Sequence, residues 1–278
     1  MRIDAHHHLW KISRGDYGWL TPEAFPDIHR DYLPADFEPL LKQCGIEKTV
    51  LVQAAPTLAE TQFLLALAKT TPFVGGVVGW VDLAASGATD DIAALAKEPL
   101  LKSIRPMLQD LPDDDWILRP ELAPAVKAVE AHGLRFDVLI LPRHLPHIAK
   151  FIARHPTLPM VIDHGAKPQI ARGDIEPWRT ELRAIAQDHP RLCCKLSGLV
   201  TEAAPGWTVE MLKPYVGALL DIFGPKRLMW GSDWPVLTLN GDYATWYQAA
   251  QQLTGFLAPE ERSDIFGGTA CRFYDITN

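Results

Sequence analysis

The sequence lacks the features that mark membrane, secreted and nucleic-acid-binding proteins. No apolar run reaches 18 residues, so we expect no membrane span, and the first residues contain no apolar signal core. Acidic residues outnumber basic ones by 34 to 27, whereas nucleic-acid binders carry basic stripes. The four cysteines show no C-x-x-C spacing, and we expect adjacent Cys193 and Cys194 to be reduced. These absences predict a soluble, cytoplasmic protein without nucleic-acid or membrane partners.

The sequence does contain enough apolar material for a large core. Hydrophobic residues make up 47% of 278 residues, which excludes a disordered chain. Eight β-rich runs alternate with stretches in which apolar residues recur three and four apart, as in amphipathic helices. The runs cover residues 3–9, 49–54, 74–81, 102–108, 135–140, 160–163, 192–196 and 228–230. This count predicts an α/β fold, a (β/α)8 or TIM barrel.

The alternative fold is a doubly wound open sheet, but no G-x-G-x-x-G follows the first strand. No linker or break in composition divides the chain, so we predict a single domain over residues 1–278. One connection, at about residues 10–33, is too long for a structural link and is rich in aromatic residues. Because it follows strand 1, and loops after barrel strands form the catalytic face, we predict a substrate lid there.

Polar residues end three of the predicted strands. Side chains alternate along a strand, so Asp4, His6 and His8 are expected on one face of strand 1. His164 ends strand 6 and Asp233 ends strand 8. In a barrel these residues converge at one mouth. Each has a plainer alternative when taken singly: a tag remnant for the histidine run, a structural histidine for His164, and a turn residue for Asp233.

The motifs around these residues resemble the amidohydrolase superfamily, and they span the whole chain. Further runs are similar to the branch that contains sugar lactonases and pyrone-dicarboxylate lactone hydrolases, with L-fuconolactone hydrolases the nearest members. The runs that carry the resemblance are Asp4 to His8, His29 to Pro34, His164-Gly165, Lys195 to Leu199, Gly231 to Pro235 and Gly267 to Ala270.

One departure from the binuclear members of this superfamily concerns the metal. Those enzymes carry a bridging Lys or Glu on strand 4 and a His at the end of strand 5. Strand 4 here ends near Arg105, and strand 5 has no His before His144 in the following loop. His6, His8, His164 and Asp233 still form a ligand set for one zinc ion. The resemblance implies that no metal is required, so we expect zinc to bind only adventitiously and no cofactor to be needed.

Other side chains on the catalytic face are candidates for holding substrate. A buried strand arginine such as Arg105 points to function, although a core salt bridge is the alternative. For Gln53, stabilising a turn by hydrogen bonding is an equally good alternative to binding a substrate hydroxyl. For the tryptophans, the alternative is packing in the hydrophobic core, where most tryptophans of a chain lie. With these alternatives open, the predicted substrate-binding residues are Trp10, His29, Tyr32, Gln53, Trp80 and Lys195.

These residues suit the hydrolysis of an internal ester. Asp233 is the natural general base, and His6, His8, His164 and Arg105 can polarise the carbonyl. No G-x-S-x-G elbow indicates a serine nucleophile, so water is expected to attack directly. The resemblance therefore implies an enzyme, a lactonase of the carboxylic ester hydrolase class, that opens a sugar lactone such as L-fuconolactone to the aldonic acid.

Three alternatives compete with this hypothesis. They are a 2-pyrone-4,6-dicarboxylate lactone hydrolase, a metal-dependent decarboxylase of the same superfamily, and a barrel that only binds. A dicarboxylate requires several arginines, for which Arg14, Arg30 and Arg143 are candidates beside Arg105. The intact set of histidines and Asp233 argues against a barrel that only binds. Ring size, stereochemistry and oligomeric state do not follow from one chain.

Overall fold

The computed structural model describes residues 1–277 and contains eight parallel strands in one sheet, each paired with the next along the chain. Beyond β8 the chain continues alongside β1, where the N–H of His8 donates to the carbonyl of Trp234 at 2.7 Å and closes the barrel. The predicted TIM barrel is confirmed. The strands are β1 (Ile3–His7), β2 (Lys48–Val52), β3 (Val74–Gly79), β4 (Leu101–Ile104), β5 (Arg135–Val138), β6 (Met160–Ile162), β7 (Cys193–Leu196) and β8 (Leu228–Trp230).

Helices follow the strands and cover the outside of the barrel. Two of them begin at a residue whose side chain caps the helix. The side chain of Thr57 accepts a hydrogen bond from the backbone N–H of Glu60, and that of Asp242 accepts one from the backbone N–H of Thr245. Within residues 1–277, no helix is both long enough and apolar enough to cross a membrane. The helices are α1 (Pro34–Cys44), α2 (Leu58–Lys69), α3 (Ala88–Leu95), α4 (Ala123–Ala131), α5 (Leu145–Arg154), α6 (Trp178–Asp188), α7 (Leu199–Glu202), α8 (Val209–Phe223), α9 (Tyr243–Leu253), α10 (Pro259–Ser263) and α11 (Thr269–Tyr274).

The C-terminal segment closes one end of the barrel and leaves the other end for a site. Tyr274 and Ile276 pack with the apolar side chains that fill the barrel interior. The side chains of Lys102 and Arg135, at the starts of β4 and β5, donate to the carbonyls of Asp275 and Phe273. The strands therefore begin against the C-terminal segment and end at the open mouth, where barrel enzymes carry their chemistry.

Candidate active site

Four polar side chains meet at the open end of the barrel. The Oδ1 atom of Asp233 lies 3.3 Å from His8 Nε2, 3.7 Å from His6 Nε2 and 3.8 Å from His164 Nε2. His6 Nε2 and His8 Nε2 are 3.3 Å apart. All four residues are buried. The structure thus brings together the two histidines of strand 1, the histidine after β6 and the aspartate after β8.

The expectation that Asp4 shares a face with His6 and His8 is wrong. The pairing of β1 with β2 shifts register between Asp4 and His7, which breaks the alternation of side chains. Asp4 points to α9, where it accepts the hydroxyl of Tyr243 at 3.0 Å. Its other oxygen accepts the backbone N–H groups of His6 and Ser232. Asp4 therefore supports the backbone behind the site and does not enter it.

The backbone at two of the site residues is in the left-handed region. His164 has φ +54° and Asp233 has φ +62°, conformations that non-glycine residues adopt mainly where surrounding structure holds them. Gly198 gives His164 its space, because a Cβ at this position would lie 2.5 Å from His164 Nδ1. Ser197 contacts the same nitrogen through Oγ at 2.9 Å. The sharp turns after β6 and β8 therefore aim both side chains inward.

Arg105 follows β4 and presents a positive charge to the cluster. Its Nη1 lies 3.1 Å from Asp163 Oδ2 and 3.5 Å from His6 Nε2. Its Nη2 donates to the carbonyl and the side-chain oxygen of Gln53. The Nε–H of Arg105 has no hydrogen-bond partner within residues 1–277. Arg105 is thus held by Asp163 and Gln53, and its side chain lines the cavity described below.

A second cation lies deeper, below the imidazoles. Lys195 is fully buried, and its Nζ lies 2.6 Å from Asp137 Oδ2 and 3.0 Å from Asp163 Oδ1. Asp137 also accepts the hydroxyls of Ser103 and Tyr274. Sequence reasoning missed both aspartates, although Asp137 between the apolar Phe136 and Val138 was a signal for an ion pair inside the barrel.

Burial and mutual contact set the protonation states of the cluster. Burial lowers the pKa of His164 to about 4, against the opposing effect of Asp233, and burial holds the pKa of His6 well below its usual range. Burial alone would raise the pKa of Asp233, but His164 and a hydrogen bond from His8 outweigh it and hold that pKa below its usual range. At neutral pH, Asp233 is therefore an anion beside a neutral His164.

A cavity of about 310 Å³ opens above this cluster. His8, Arg105, His164 and Asp233 form its polar floor, while His6 lies beneath them and is fully buried. Its walls combine apolar side chains with a charged pair, whose Lys167 Nζ and Glu202 Oε1 lie 3.4 Å apart. Trp19 and Phe25, two aromatic residues of the predicted lid loop, line these walls. Residues that sequence reasoning did not select join them, among them Met107, Leu139, Lys167 and Glu202.

The predicted substrate-binding residues lie elsewhere among the residues that the structure describes. Trp10 and Tyr32 are buried and exchange backbone hydrogen bonds of 3.0 and 2.9 Å, which close the base of the 10–33 loop. Gln53 and Lys195 are fully buried and bind Arg105 and the aspartates, respectively. His29 and Trp80 are half-buried and are not among the side chains of the cavity wall. None of these six side chains is therefore among those that line the cavity, because strand-end positions indicate the mouth of a barrel but not the direction of each side chain.

Three members of the cluster, His6, His8 and Asp233, fit one zinc ion by donor type and spacing. Ligands at about 2.1 Å around a tetrahedral ion lie roughly 3.4 Å from one another. Asp233 Oδ1 lies 3.7 Å from His6 Nε2 and 3.3 Å from His8 Nε2, and the two ring nitrogens are 3.3 Å apart, which matches that spacing. Asp163 joins His6 and His164 in a second group of candidate ligands. Arg105, 3.5 Å from His6, adds a positive charge that opposes a divalent cation.

Comparison with known proteins places this arrangement in a family. The amidohydrolase family matches residues 3–276. The chain is 50% identical to an L-fucono-1,5-lactonase from Burkholderia ambifaria and 36% identical to one from Burkholderia multivorans, in each case over 99% of this chain and 96% of the relative. A crystal structure of an amidohydrolase from Burkholderia multivorans with bound zinc is 35% identical, covers both chains completely and has a TM-score of 0.93. The chain therefore belongs to the amidohydrolase family.

Proposed function

We propose that this enzyme hydrolyses a sugar lactone, such as L-fuconolactone, to the aldonic acid in the cavity at the open end of the barrel. The observation that carries the proposal is the Asp233 carboxylate at the cavity floor, beside three imidazoles and the Arg105 guanidinium. The activity of the L-fucono-1,5-lactonase that is 50% identical over nearly the whole chain supports it.

In the proposed reaction, Asp233 acts as the general base and water as the nucleophile. Asp233 takes a proton from water, whose oxygen forms a bond to the lactone carbonyl carbon. The carbonyl π electrons move onto oxygen. The Arg105 guanidinium and the imidazoles of the cluster, His8 and His164 at the cavity wall with His6 beneath, stabilise that charge. When the carbonyl re-forms, the bond to the ring oxygen breaks. Asp233 then passes its proton to that oxygen, which leaves the carboxylic acid and a free hydroxyl.

We propose that this chemistry requires no metal. The positive charge that a metal ion would supply is present in the Arg105 guanidinium at the cavity floor. If zinc binds adventitiously to His6, His8, His164 and Asp233, it can act as a Lewis acid toward a carbonyl oxygen. The zinc in the solved relative is the reason to test this point by chelation.

The walls of the cavity favour a neutral polyol ring over a dicarboxylate. Of the four arginines considered, Arg105 lines the cavity. The other three lie outside it and pair with aspartates: Arg14 with Asp16, Arg30 with Asp36 and Arg143 with Asp114. Lys167 also lines the cavity, but Glu202 neutralises it. A pair of opposite charges suits hydroxyl groups, which both donate and accept hydrogen bonds. This is the reason for preferring a sugar lactone to a pyrone dicarboxylate.

We further propose that the 10–33 loop is the substrate lid of a single domain spanning residues 1–278. Trp19 and Phe25, from the middle of the loop, line the cavity, and their rings meet edge to face with centroids 5.3 Å apart. The Trp19 indole N–H donates to the carbonyl of Ala54 after β2 at 2.7 Å, which fastens the loop across the mouth. Aromatic rings at this place suit stacking on a sugar ring.

The proposed setting is the reducing cytoplasm, with a small-molecule substrate and no nucleic-acid partner. The four free cysteines support a reducing compartment. The net charge of −7 argues against a nucleic-acid partner.

A pH-indicator assay on a panel of aldonolactones, with and without a chelator, tests the proposal. We expect acid release above the spontaneous rate, strongest for L-fuconolactone or a close stereoisomer, at the same rate in the chelator. Aromatic carboxylates incubated with Mn²⁺ or Zn²⁺ test the decarboxylase alternative in parallel. Absence of turnover on every lactone, or turnover of a pyrone dicarboxylate alone, would contradict the proposed substrate class.

A further inference from the structure

Glu60 is a fully buried carboxylate that the proposed reaction does not use. It lies in the first turn of α2, three residues after Thr57, whose side chain caps this helix. A glutamate at this place in a capping box accepts the backbone N–H of the capping residue. Here the N–H of Thr57 instead donates to the carbonyl of Ala55 at 3.0 Å. The carboxylate of Glu60 therefore serves something other than the end of its own helix.

The carboxylate binds the turn that follows β2. Its Oε1 atom accepts the backbone N–H of Ala54 at 2.9 Å, and its Oε2 atom accepts the backbone N–H of Ala55 at 2.7 Å. Both alanines are buried, and Ala54 lines the cavity. Glu60 thus fixes two successive peptide groups at the edge of the candidate active site.

Each of these two peptide groups carries an active-site contact on its carbonyl side. The first group joins Gln53 to Ala54, and its carbonyl accepts a hydrogen bond from Nη2 of Arg105. The second group joins Ala54 to Ala55, and its carbonyl accepts the indole N–H of Trp19 at 2.7 Å. Two hydrogen-bond chains therefore start at one carboxylate, and they end at Arg105 and at the 10–33 loop.

Hydrogen bonds in such a chain strengthen one another. An acceptor at the N–H of a peptide group polarises that group and makes its carbonyl oxygen a better acceptor. We propose that Glu60 is a positioning residue that holds both the Arg105 guanidinium and the Trp19 indole in place at the cavity through the turn after β2. This inference rests on the proposed function, which assigns Arg105 to the chemistry and the 10–33 loop to the lid.

The substitution Glu60→Gln removes one of the two acceptors and keeps the size of the side chain. The amide presents an NH₂ group to one backbone N–H of the turn, and that donor loses its partner. Burial raises the pKa of Glu60 to about 7, but the protonated acid keeps both oxygen atoms toward the turn, so the amide is the more severe change. Thr57→Ala is the matched control, because it removes the cap of α2 and keeps the carboxylate.

Two measurements need no lactone and therefore stand apart from the proposed function. The first is the indole ¹H–¹⁵N resonance of Trp19, assigned among the nine tryptophans by comparison with Trp19→Phe. We expect Glu60→Gln to shift this resonance and to speed its exchange with solvent about tenfold, as the loss of one buried hydrogen bond implies. Thr57→Ala is expected to leave the resonance unchanged. The second is amide exchange of Ala54 and Ala55 in the wild-type protein, which should be as slow as in β2; fast exchange there would overturn the proposal even if the variant did not fold.

Kinetics on the best lactone then separate the two chains. Misplacing Arg105 lowers kcat, because the guanidinium acts on charge that develops in the transition state, whereas a looser lid raises KM. We expect Glu60→Gln to change kcat and KM by about tenfold each, and Thr57→Ala to lower thermal stability alone. A folded Glu60→Gln with the wild-type indole resonance, or with wild-type kcat and KM, would contradict the proposal. If the wild-type enzyme opened no lactone, the proposed function would fail, and the indole and amide measurements would still decide whether Glu60 holds the turn and the lid.

Discussion

The substitution Asp233→Asn removes the proposed base while keeping the size and shape of the side chain. The Oδ1 atom of Asp233 lies within 3.8 Å of the Nε2 atoms of three histidines, so an amide fits the same space. An amide cannot accept the proton of the attacking water. Positioned proton transfer contributes a factor of roughly 100 to 10,000 to a rate, or about 2.7 to 5.4 kcal/mol in activation free energy. We expect kcat to fall by that factor or more, with a modest change in KM.

The assay for this substitution follows acid release from the best lactone with a pH indicator. The spontaneous opening of the lactone in base is subtracted, because it becomes a large fraction of the rate in a slow variant. Circular dichroism shows whether the variant is folded, and His164→Asn provides a second slow variant through lost carbonyl polarisation. A folded Asp233→Asn that keeps more than about a tenth of the wild-type kcat would refute the role of Asp233 as base, and a histidine of strand 1 would be the next candidate.

Three further predictions concern pH, the backbone and the cavity wall. Because burial lowers the pKa of His164 to about 4 and Asp233 ionises still lower, kcat/KM should be constant from neutral pH to about 5 and fall on acidification through about 4; a midpoint near 6.5 in the pH–rate profile would contradict this. Gly198→Ala places a Cβ 2.5 Å from the His164 ring, so kcat should fall about tenfold, whereas Gly173→Ala, which has the same left-handed backbone and an open surrounding, should cost stability alone in thermal unfolding. Glu202→Gln removes the partner of Lys167 and should raise KM about tenfold with little change in kcat, and an unchanged KM on the best lactone would remove this pair from substrate binding.

The fold and the centre of the site follow from the sequence because both depend on periodicity. Apolar residues at helical spacing and eight β-rich runs identify the barrel, and the carboxyl ends of its strands must meet at one mouth. His6, His8, His164 and Asp233 are therefore found together, as expected from their places at strand ends. The resemblance to the amidohydrolase superfamily, drawn from the motifs around them, is confirmed.

The parts that sequence reasoning missed depend on side-chain direction. The register shift in β1 turns Asp4 outward, and no pattern in a five-residue strand reveals such a shift. Lys195 was expected at the cavity, but it lies below His6 because it pairs with Asp137 and Asp163, which come from different strands. The cavity wall is built by loops whose conformations no periodicity describes, and for this reason Trp19 was a member of the loop but not of the predicted contacts.

The most direct test of the central claim, that water guided by Asp233 attacks the lactone carbonyl, is a single turnover in H₂¹⁸O. Enzyme is mixed in excess over the lactone, and the aldonic acid is analysed by mass spectrometry. Direct attack predicts one ¹⁸O in the carboxylate of the product from the first turnover, with no label in the peptide that contains Asp233. A first-turnover product without ¹⁸O, together with labelled Asp233, would show that the aspartate is a nucleophile and would contradict the account.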